Sequence, residues 1–472
     1  MMDAKIFFGS REATAHHRSE RLSPYNGALV STAPICDAKD VAEALTIAQR
    51  AAKEAKKTTL SQRCNWLLDV ANKLQEQKES FAKTITDEVG KPIAFARVEV
   101  ERCVETVTLA AETMRTMHGE TINTDAMESG KKTMSFFRRE AAGVVVAITP
   151  FNFPLNLVAH KLAPALVAGN TVVLKPTPEA PLTAYKFAKL FIESEFAIPD
   201  ALSVVYGDAE VGSALTTSDI PRVISFTGSV PVGKIITKNA GIKKVSLELG
   251  GNAATYIDKS ADLDLAAQRC TLGAFVNSGQ VCISLQRIYV DEAIYEEFSQ
   301  KMAQETRKLV IGSPYDEKTF MGPLIDDEAC ERAMTWVQSA IDEGAVALLP
   351  PQREGRIFHP CVMANVRDEM AIVCEEVFAP IVSLVKVDGF DDALKRMNNS
   401  PYGLQFSVFT NDLKLTQKAI DELDAGGVVI NDMPTLRFDI QPYGGVKLSG
   451  VGREGPRFAI EEMTEIKSVM IC

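Results

Sequence analysis

The 472-residue sequence lacks the cysteine and histidine patterns of disulfide-linked and metal-binding proteins. Its nine cysteines include no Cys-x-x-Cys pair, and its five histidines show no His-Glu-x-x-His or comparable spacing. A disulfide framework needs paired cysteines and a zinc site needs suitably spaced ligands, so neither is expected. The sequence therefore predicts a protein without a metal and with reduced thiols.

Positive charge and long apolar runs are also scarce. The formal net charge is -11, whereas nucleic acids and anionic membranes are bound by clustered positive charge. No run approaches the ~18 apolar residues of a membrane span, and the N-terminal stretch lacks the long apolar middle of a secretory signal. We therefore expect no nucleic-acid or membrane partner and a cytoplasmic location.

The sequence does contain enough apolar residues for more than one hydrophobic core. Hydrophobic residues make up 46% of the chain and charged residues 24%, the proportions of an ordinary globular protein. A chain of this length exceeds what a single core usually organises. Two or more domains are therefore predicted.

Short β-branched runs alternate with helical patterns in two series, which is typical of parallel sheets with crossover helices. The first series predicts strands at residues 143–149, 171–175, 202–207, 222–229 and 243–251. The second predicts strands at the runs ATYI, RIYV, APIVSLVKV, LQFSVFT and GGVVIN. The first 120 residues are predicted to be mostly helical, and residues 118–142 and the tail 461–472 are predicted to supply extended strands.

Candidate site residues lie where strands of the first series end. Asn152 precedes a helix expected to begin near Pro154, and it either donates its amide into a cleft or caps that helix. Lys175 ends a strand at the edge where open α/β sheets bind ligands, or it is a surface residue beside a proline-rich turn. Gly228 and Ser229 open a helix, either to bind pyrophosphate or only for conformation.

Two further residues suit nucleophilic and acid–base chemistry. Glu248 ends the fifth strand, where burial should raise its pKa toward that of a general base, although a buried glutamate also pairs with Lys or Arg. Cys282 lies in the small turn GQVCIS with no histidine nearby in the sequence. A thiol, a carboxylate, an amide donor at Asn152 and a dinucleotide-type turn together describe oxidation of an aldehyde through a thioester.

Seven ordered motifs resemble those of the aldehyde dehydrogenase superfamily over nearly the entire chain: TPFNFP, LAPALVAGNTVVLKP, FTGS, LELGGN, GQVC, EEVFAP and PYGGVKLSGVGREG. The most similar branch contains lactaldehyde, semialdehyde and non-phosphorylating glyceraldehyde-3-phosphate dehydrogenases. The resemblance implies a Rossmann-like cofactor domain at residues 1–117 and 143–248 and an α/β catalytic domain at 249–458. It further implies a small β oligomerisation element at 118–142 and 459–472, and a homodimer or homotetramer.

The resemblance also assigns roles to residues. Cys282 is implied as the nucleophile, Glu248 as the base and Asn152 as an oxyanion donor, acting with NAD or NADP on a small-molecule aldehyde. The residues expected to bind the cofactor are Thr149, Pro150, Phe151, Lys175, Gly228, Ser229, Leu249, Glu376 and Phe378. The residues expected to contact the substrate are Phe153, His160, Val281 and Arg437, with Arg102 as a weaker candidate.

The sequence departs from the family pattern at the cofactor site. Many relatives carry a tryptophan at the position of Phe151, a conservative change in the wall of the cofactor pocket. NAD-preferring members commonly carry a glutamate three residues after the lysine, whereas Pro178 stands there and Glu179 follows. The missing carboxylate implies that NADP is accepted, unless the shifted Glu179 restores selectivity for NAD.

At the substrate site, Arg437 stands where glyceraldehyde-3-phosphate-oxidising members hold an arginine for the substrate phosphate. Val281 replaces their second arginine, and a single arginine suits a carboxylate- or hydroxyl-bearing aldehyde at least as well as a phosphate. The expected substrate is a small polar or anionic aldehyde such as lactaldehyde, a semialdehyde or glyceraldehyde phosphate. Alternatively, Arg437 pairs only with Asp439 or Asp432. Two other functions stay open: a CoA-acylating dehydrogenase, which the intact Glu248 disfavours, and a catalytically silent protein of the same fold.

Overall fold

The computed structural model describes residues 2–15 and 17–472, which build two large, mainly parallel β-sheets with helices packed on them. The first sheet has eight strands. From edge to edge they are Gly450–Val451, Lys244–Glu248, Val223–Thr227, Val144–Ile148, Thr171–Lys175, Leu202–Val204, Ile6–Phe8 and Arg11–Ala13. The middle five strands are parallel to one another. The single outer strand on one side and the two outer strands on the other are each antiparallel to their inner neighbour.

The second sheet has seven strands, of which only the edge strand Val346–Leu349 is antiparallel to its neighbour. Their order is Val346–Leu349, Cys361–Ala364, Ile381–Val387, Leu285–Asp291, Ala253–Ile257, Gln405–Phe409 and Gly427–Ile430. Buried apolar runs on both sheets explain these strands, because a parallel strand covered on both faces is hydrophobic throughout. The α/β fold class predicted from the sequence is confirmed.

Helices connect and cover the strands. They are Ala38–Ala55, Leu60–Glu76, Lys78–Val89, Ile93–Thr116, Asn156–Val167, Pro181–Ile192, Ala209–Thr217, Val230–Ala240, Leu263–Phe275, Tyr295–Thr306, Asp327–Asp342, Ala371–Cys374, Gly389–Asn398, Leu413–Glu422 and Pro456–Glu462. Short 3-10 turns occur at Thr124–Ala126, Glu128–Gly130 and Val276–Gly279. Among the described residues, no helix combines the length and the apolar character that crossing a membrane requires.

The first 120 residues are mostly helical as predicted, but the described part of the first 34 residues forms five strands instead. Ile6–Phe8 and Arg11–Ala13 extend the first sheet, whereas Met2–Asp3, Arg18–Leu22 and Leu29–Pro34 form a three-stranded sheet of their own. Several of these strands are only two or three residues long, too short for a periodic pattern in the sequence. They exist because neighbouring strands supply their hydrogen-bond partners.

A separate antiparallel sheet joins the C-terminal strand to two strands between residues 120 and 141. The strand Thr464–Ile471 pairs with Met134–Ala141, which pairs with Glu120–Ile122. The extended strands predicted for these two segments are therefore present. The sheet leaves Ile466, Met470 and other apolar side chains exposed; its role in oligomerisation stays a prediction. Two small ribbons, Arg353–Glu354 with Ile357–Phe358 and Tyr402–Gly403 with Val446–Lys447, complete the fold.

Strand register in the first sheet brings chemically useful residues to one edge. Thr227 is level with Glu248, and Ile148 is level with both Lys175 and Phe226. The carboxyl ends of these parallel strands therefore finish together. In open α/β sheets this is the edge outside which ligands bind.

Candidate active site

A cavity of about 590 Å³ lies at this edge and reaches the loops of the second sheet. It is lined by fourteen of the residues predicted from the sequence, namely Arg102, Pro150, Phe151, Asn152, Phe153, Gly228, Ser229, Glu248, Leu249, Val281, Cys282, Glu376, Phe378 and Arg437. Thr149, Lys175 and His160 do not line it. Residues far apart in sequence thus line one cavity, and its volume is in the range of small-molecule binding sites.

Cys282 follows a strained turn that fixes its position. Asn277, Ser278 and Gly279 all have positive φ angles, of 51°, 55° and 72°. A side chain at Gly279 would come within 2.3 Å of the Ala379 carbonyl oxygen, so only glycine fits there. Strain of this kind persists where the surrounding packing enforces it, and it is common at functional sites.

The Cys282 thiol is enclosed, and its electrostatic surroundings are mixed. Burial raises the pKa of the thiol to about 12, and the carboxylates of Glu248 and Glu376 act in the same direction. Against them, the Tyr443 hydroxyl lies 3.1 Å from the sulfur and the Arg437 guanidinium is nearby. A second constraint comes from Gly251, where a Cβ would lie 2.2 Å from the Cys282 carbonyl oxygen. The second glycine of LELGG is thus required by close backbone approach.

Glu248 is a buried carboxylate without protein partners. Among the described residues, neither of its oxygens has a hydrogen-bond partner, although the side chain is almost fully buried. Burial raises the pKa of Glu248 well above its ordinary value, and the negative charge of Glu454 raises it further. An unpartnered buried carboxylate with a raised pKa is well suited to exchange protons with a bound water or substrate.

Asn152 is held against the loop that precedes the cysteine. Its amide nitrogen donates to the Gln280 carbonyl at 3.1 Å, and its amide oxygen accepts from the Phe153 N–H at 3.1 Å. The alternative that Asn152 caps the next helix is wrong. The helix begins at Asn156 rather than near Pro154, and the Glu99 carboxylate accepts its first N–H groups instead.

The cofactor side of the cavity is built from strand ends and a helix N-terminus. Ser229 precedes the helix Val230–Ala240, and no side-chain hydrogen bond caps that helix. Glu376 accepts from the Gly251 N–H at 3.0 Å, and burial raises its pKa to about 7. The rings of Phe151 and Phe378 pack edge to face with centroids 6.0 Å apart.

These groups fit a dinucleotide. The helix offers unsatisfied N–H groups suited to pyrophosphate, and the Thr227 hydroxyl is buried without a partner among the described residues. A Cβ at Gly250 would lie 2.3 Å from Glu376 Oε2, so this glycine leaves room for a buried carboxylate that can accept ribose hydroxyls. Lys175 lies outside the cavity lining, with its Nζ 3.4 Å from the Pro176 carbonyl oxygen. Burial lowers its pKa, although Glu179 and Asp208 oppose the shift.

The opposite end of the cavity is rich in charge. The Arg437 guanidinium lies 3.7 Å from the Tyr443 ring centroid and donates to Glu454 at 3.1 Å. Its Nε lies 3.4 Å from an Asp439 oxygen, so one of the two alternative pairings is present. The other is wrong, because Asp432 pairs with Arg269 at 2.5 Å instead.

Asp439 connects the two arginines of this end. Arg102 donates two hydrogen bonds to its carboxylate, at 3.1 and 2.7 Å. His160 lies 3.1 Å from an Asp439 oxygen and 3.1 Å from Arg437. Burial lowers the pKa of His160, so the imidazole is neutral at pH 7. The prediction that His160 contacts the substrate is therefore not supported by its position outside the cavity lining. Instead, its imidazole contacts Asp439 and Arg437.

Sequence reasoning missed several residues in and behind the cavity, among them Tyr443, Glu454, Lys161 and Lys91. Tyr443 contacts the sulfur of Cys282, and Lys161 pairs with Glu454 at 3.3 Å behind Glu248. Lys91 packs 3.9 Å from the Phe153 ring centroid in the cavity wall. Tyr443 and Glu454 both belong to the motif PYGGVKLSGVGREG, which was the only signal that could have revealed them.

Comparison with known proteins agrees with this geometry. The model of the aldehyde dehydrogenase family matches residues 11–469. The chain is 43% identical to 3-sulfolactaldehyde dehydrogenase of Priestia megaterium, covering 98% of this chain and 96% of that protein. It is 38% identical to lactaldehyde dehydrogenase of Methanococcus maripaludis, covering 95% and 96%.

Solved structures are similar throughout. Aldehyde dehydrogenase 21 of Physcomitrella patens, solved with its reaction product succinate, has a TM-score of 0.97 and 36% identity over 99% of this chain and 98% of its own. The glyceraldehyde-3-phosphate dehydrogenase of Methanocaldococcus jannaschii, solved with NADP, has a TM-score of 0.93 and 38% identity over 98% and 99%. Fold, family model and relatives together place this chain in the aldehyde dehydrogenase family, as an enzyme that uses NAD or NADP.

Proposed function

We propose that the enzyme oxidises a small, singly charged anionic aldehyde to the acid through a thioester on Cys282. The convergence of Cys282, Glu248 and Asn152 on one cavity carries the proposal. Replacement of Cys282, treated in the Discussion, is the experiment that tests it. Nothing in this assignment requires a metal.

The first step is attack of the Cys282 sulfur on the aldehyde carbon. The Cys282 thiolate, whose proton has left through water before the aldehyde binds, forms the S–C bond, and the carbonyl π electrons move to oxygen. That oxygen is held by the second amide N–H of Asn152 and the backbone N–H of Cys282. Donors fixed in advance stabilise such an oxyanion at little reorganisation cost.

The tetrahedral adduct then becomes a thioester. When bound, NAD or NADP supplies the two-electron acceptor for the hydride that leaves the adduct carbon. The cavity residues Glu376, Phe378 and Phe151 would hold its nicotinamide end, and Ser229 its pyrophosphate. In the last step Glu248 accepts a proton from water, the hydroxide attacks the acyl carbon, and the C–S bond breaks to release the acid and the Cys282 thiolate.

CoA transfer is the second candidate reaction for the thioester. It would make Glu248 dispensable, yet this carboxylate is buried beside the nucleophile with both oxygens unpartnered among the described residues. Hydrolysis is therefore preferred, and NAD(P)H formation without added CoA distinguishes the two reactions. A catalytically silent protein is disfavoured because both the thiol and the carboxylate are present.

The charges at the substrate end favour a monoanion. Buried or half-buried ionic groups there are the cations Lys91, Arg102, Lys161 and Arg437 and the anions Glu99, Asp439 and Glu454. Four positive charges against three negative ones leave an excess of one among these groups, and burial and the charge of Glu454 disfavour a further negative charge on Glu248. A carboxylate or sulfonate balances this excess, whereas a phosphate dianion leaves a negative charge uncompensated.

Arg102 is the arginine of this end that can be tested with the least disturbance, because its side chain is 29% exposed. In Arg102→Met, kcat/KM for succinic semialdehyde is expected to fall about 10- to 100-fold, as loss of a charge-assisted hydrogen bond predicts. The value for butanal, which is neutral, should change much less. Arg97→Met is the matched control, because Arg97 lies on the same helix but pairs with Glu79 and Glu317 outside the cavity. Equal losses for both aldehydes would argue against an anion site.

We infer that both cofactors are accepted and that Glu179 sets the ratio between them. Its carboxylate accepts a hydrogen bond from the Thr177 hydroxyl, and its charge opposes the lowering of the Lys175 pKa by burial. Negative charge therefore lies near the lysine expected at the adenosine ribose. In Glu179→Gln, kcat/KM with NADP relative to NAD is expected to rise about tenfold, because one repulsive charge is removed. Glu193→Gln, on the surface beyond the helix Pro181–Ile192, should leave the ratio unchanged. If Glu179→Gln leaves the ratio of kcat/KM with NADP to that with NAD unchanged, Glu179 does not set the cofactor preference.

A further inference from the structure

The closest polar neighbour of the Cys282 sulfur is a phenol. Tyr443 places its hydroxyl 3.1 Å from the sulfur, and its side chain is almost completely buried. Among the described residues this is the only hydrogen bond of the hydroxyl. The contact joins two segments that are 161 residues apart, so it is a feature of the folded site rather than of a local turn.

The phenol is held rigidly. Tyr443 and Glu454 exchange two backbone hydrogen bonds, at 3.1 and 2.7 Å. The Arg437 guanidinium covers the ring at 3.7 Å from its centroid. A cation over the ring draws electron density from the phenol and strengthens its hydroxyl as a donor. The ring therefore cannot turn the hydroxyl away without breaking several contacts.

The direction of the hydrogen bond follows from protonation. Burial raises the pKa of Tyr443 well above its ordinary value, so the phenol keeps its proton at any working pH. A protonated phenol donates to a thiolate, and hydrogen bonds to a charged form favour that form. For Cys282, this bond and the charge of Arg437 are the influences that oppose burial.

We propose that Tyr443 is a catalytic residue that donates a hydrogen bond to the Cys282 thiolate and thereby enlarges the reactive fraction of the resting enzyme. The inference rests on the proposed function, in which Cys282 is the nucleophile. When sulfur attacks the aldehyde, negative charge passes from sulfur to the carbonyl oxygen. The bond from Tyr443 then weakens as the donors around the oxyanion take over, so Tyr443 acts before the attack and again only when the C–S bond breaks and the thiolate is released.

The test is the rate at which iodoacetamide alkylates Cys282 between pH 6 and pH 10, followed by peptide mapping with mass spectrometry. Tyr443→Phe keeps the ring under Arg437 and removes only the hydroxyl. Alkylation of Cys282 is expected to slow about tenfold at each pH below the thiol's inflection, the equivalent of about one unit of pKa. The rate of thioester hydrolysis, measured separately, should fall by less, because the sulfur carries no charge until the C–S bond breaks.

Two comparisons separate this role from a structural one. Tyr206→Phe removes another buried hydroxyl, which has no partner among the described residues and does not line the cavity, so alkylation should not change. Site-specific replacement of Tyr443 by 3-fluorotyrosine gives a more acidic phenol and should accelerate alkylation. Packing alone would not respond to the acidity of the phenol.

The outcomes are distinct. If Cys282 is alkylated at the wild-type rate in Tyr443→Phe at every pH, the inference fails while Cys282 remains the nucleophile. If Cys282 of the wild type reacts no faster than the other eight cysteines, the proposed function fails, and the inference fails with it. A slower Tyr443→Phe together with a faster 3-fluorotyrosine enzyme supports the role of Tyr443.

Discussion

Cys282→Ala is expected to reduce steady-state formation of NAD(P)H by about 10⁴-fold or more, the loss typical of removing a covalent nucleophile. The affinity for NAD and NADP should stay within about twofold of the wild type, because the thiol is not among the residues expected to hold the cofactor. Stopped-flow absorbance measures the first quantity and fluorescence titration the second. Together they separate loss of chemistry from loss of the site.

Cys330→Ala is the matched control for this variant. Cys330 is also buried, on the helix Asp327–Asp342, but it contacts the Arg356 carbonyl and does not line the cavity. Its replacement should leave the turnover rate unchanged. Substantial oxidation by Cys282→Ala would contradict the thioester route, since no second thiol lines the cavity among the described residues.

Glu248→Gln has the second-largest expected effect and should separate the two halves of the reaction. We expect a rapid burst of NAD(P)H of about one equivalent per site, followed by steady-state turnover slowed about 10²- to 10⁴-fold. The amide has nearly the same shape, yet it cannot accept a proton from the hydrolytic water. Quenched-flow analysis of the thioester and of NAD(P)H measures both phases.

The pH dependence of thioester hydrolysis tests the same residue. Because burial and Glu454 raise the pKa of Glu248, hydrolysis by the wild type should slow as pH falls through that raised value, where the carboxylate becomes protonated. Glu248→Gln should lose this acidic limb. Glu376→Gln is a useful contrast, because this second buried carboxylate of the cavity is expected to affect cofactor affinity instead. Equal losses of burst and steady-state rates in Glu248→Gln would place its action before hydride transfer.

Local sequence patterns predicted the parts of the fold that depend on local chemistry. The strand Thr171–Lys175 has the predicted bounds, because five buried residues in a row form a clear apolar signal. The strand Leu202–Val204 ends three residues earlier than predicted. The end of a strand is set by where its neighbouring strands stop offering hydrogen-bond partners, and the local sequence does not contain that information. Ile6–Phe8 was missed for a related reason, as it is a strand through its antiparallel pairing with Leu202–Val204 and Arg11–Ala13.

In the site, too, features that depend on one segment were predicted, whereas contacts between segments distant in sequence were not. Glu248 could be placed at a strand end from its own segment, and its raised pKa follows from burial. The contact between Tyr443 and Cys282 could not be derived, because it depends on how two loops from distant segments pack. Likewise, sequence spacing could not show that Asp439 joins Arg102 to Arg437 or that His160 lies behind them.

The most direct test of the account is the mass of the covalent intermediate. Glu248→Gln is mixed with NADP or NAD and a substrate aldehyde, quenched in acid and analysed as intact protein and as peptides. The account predicts an increase equal to the mass of the aldehyde less two hydrogens, on the peptide that contains Cys282 and on no other. An enzyme that forms NAD(P)H but carries no such adduct, or carries it on another residue, would contradict it.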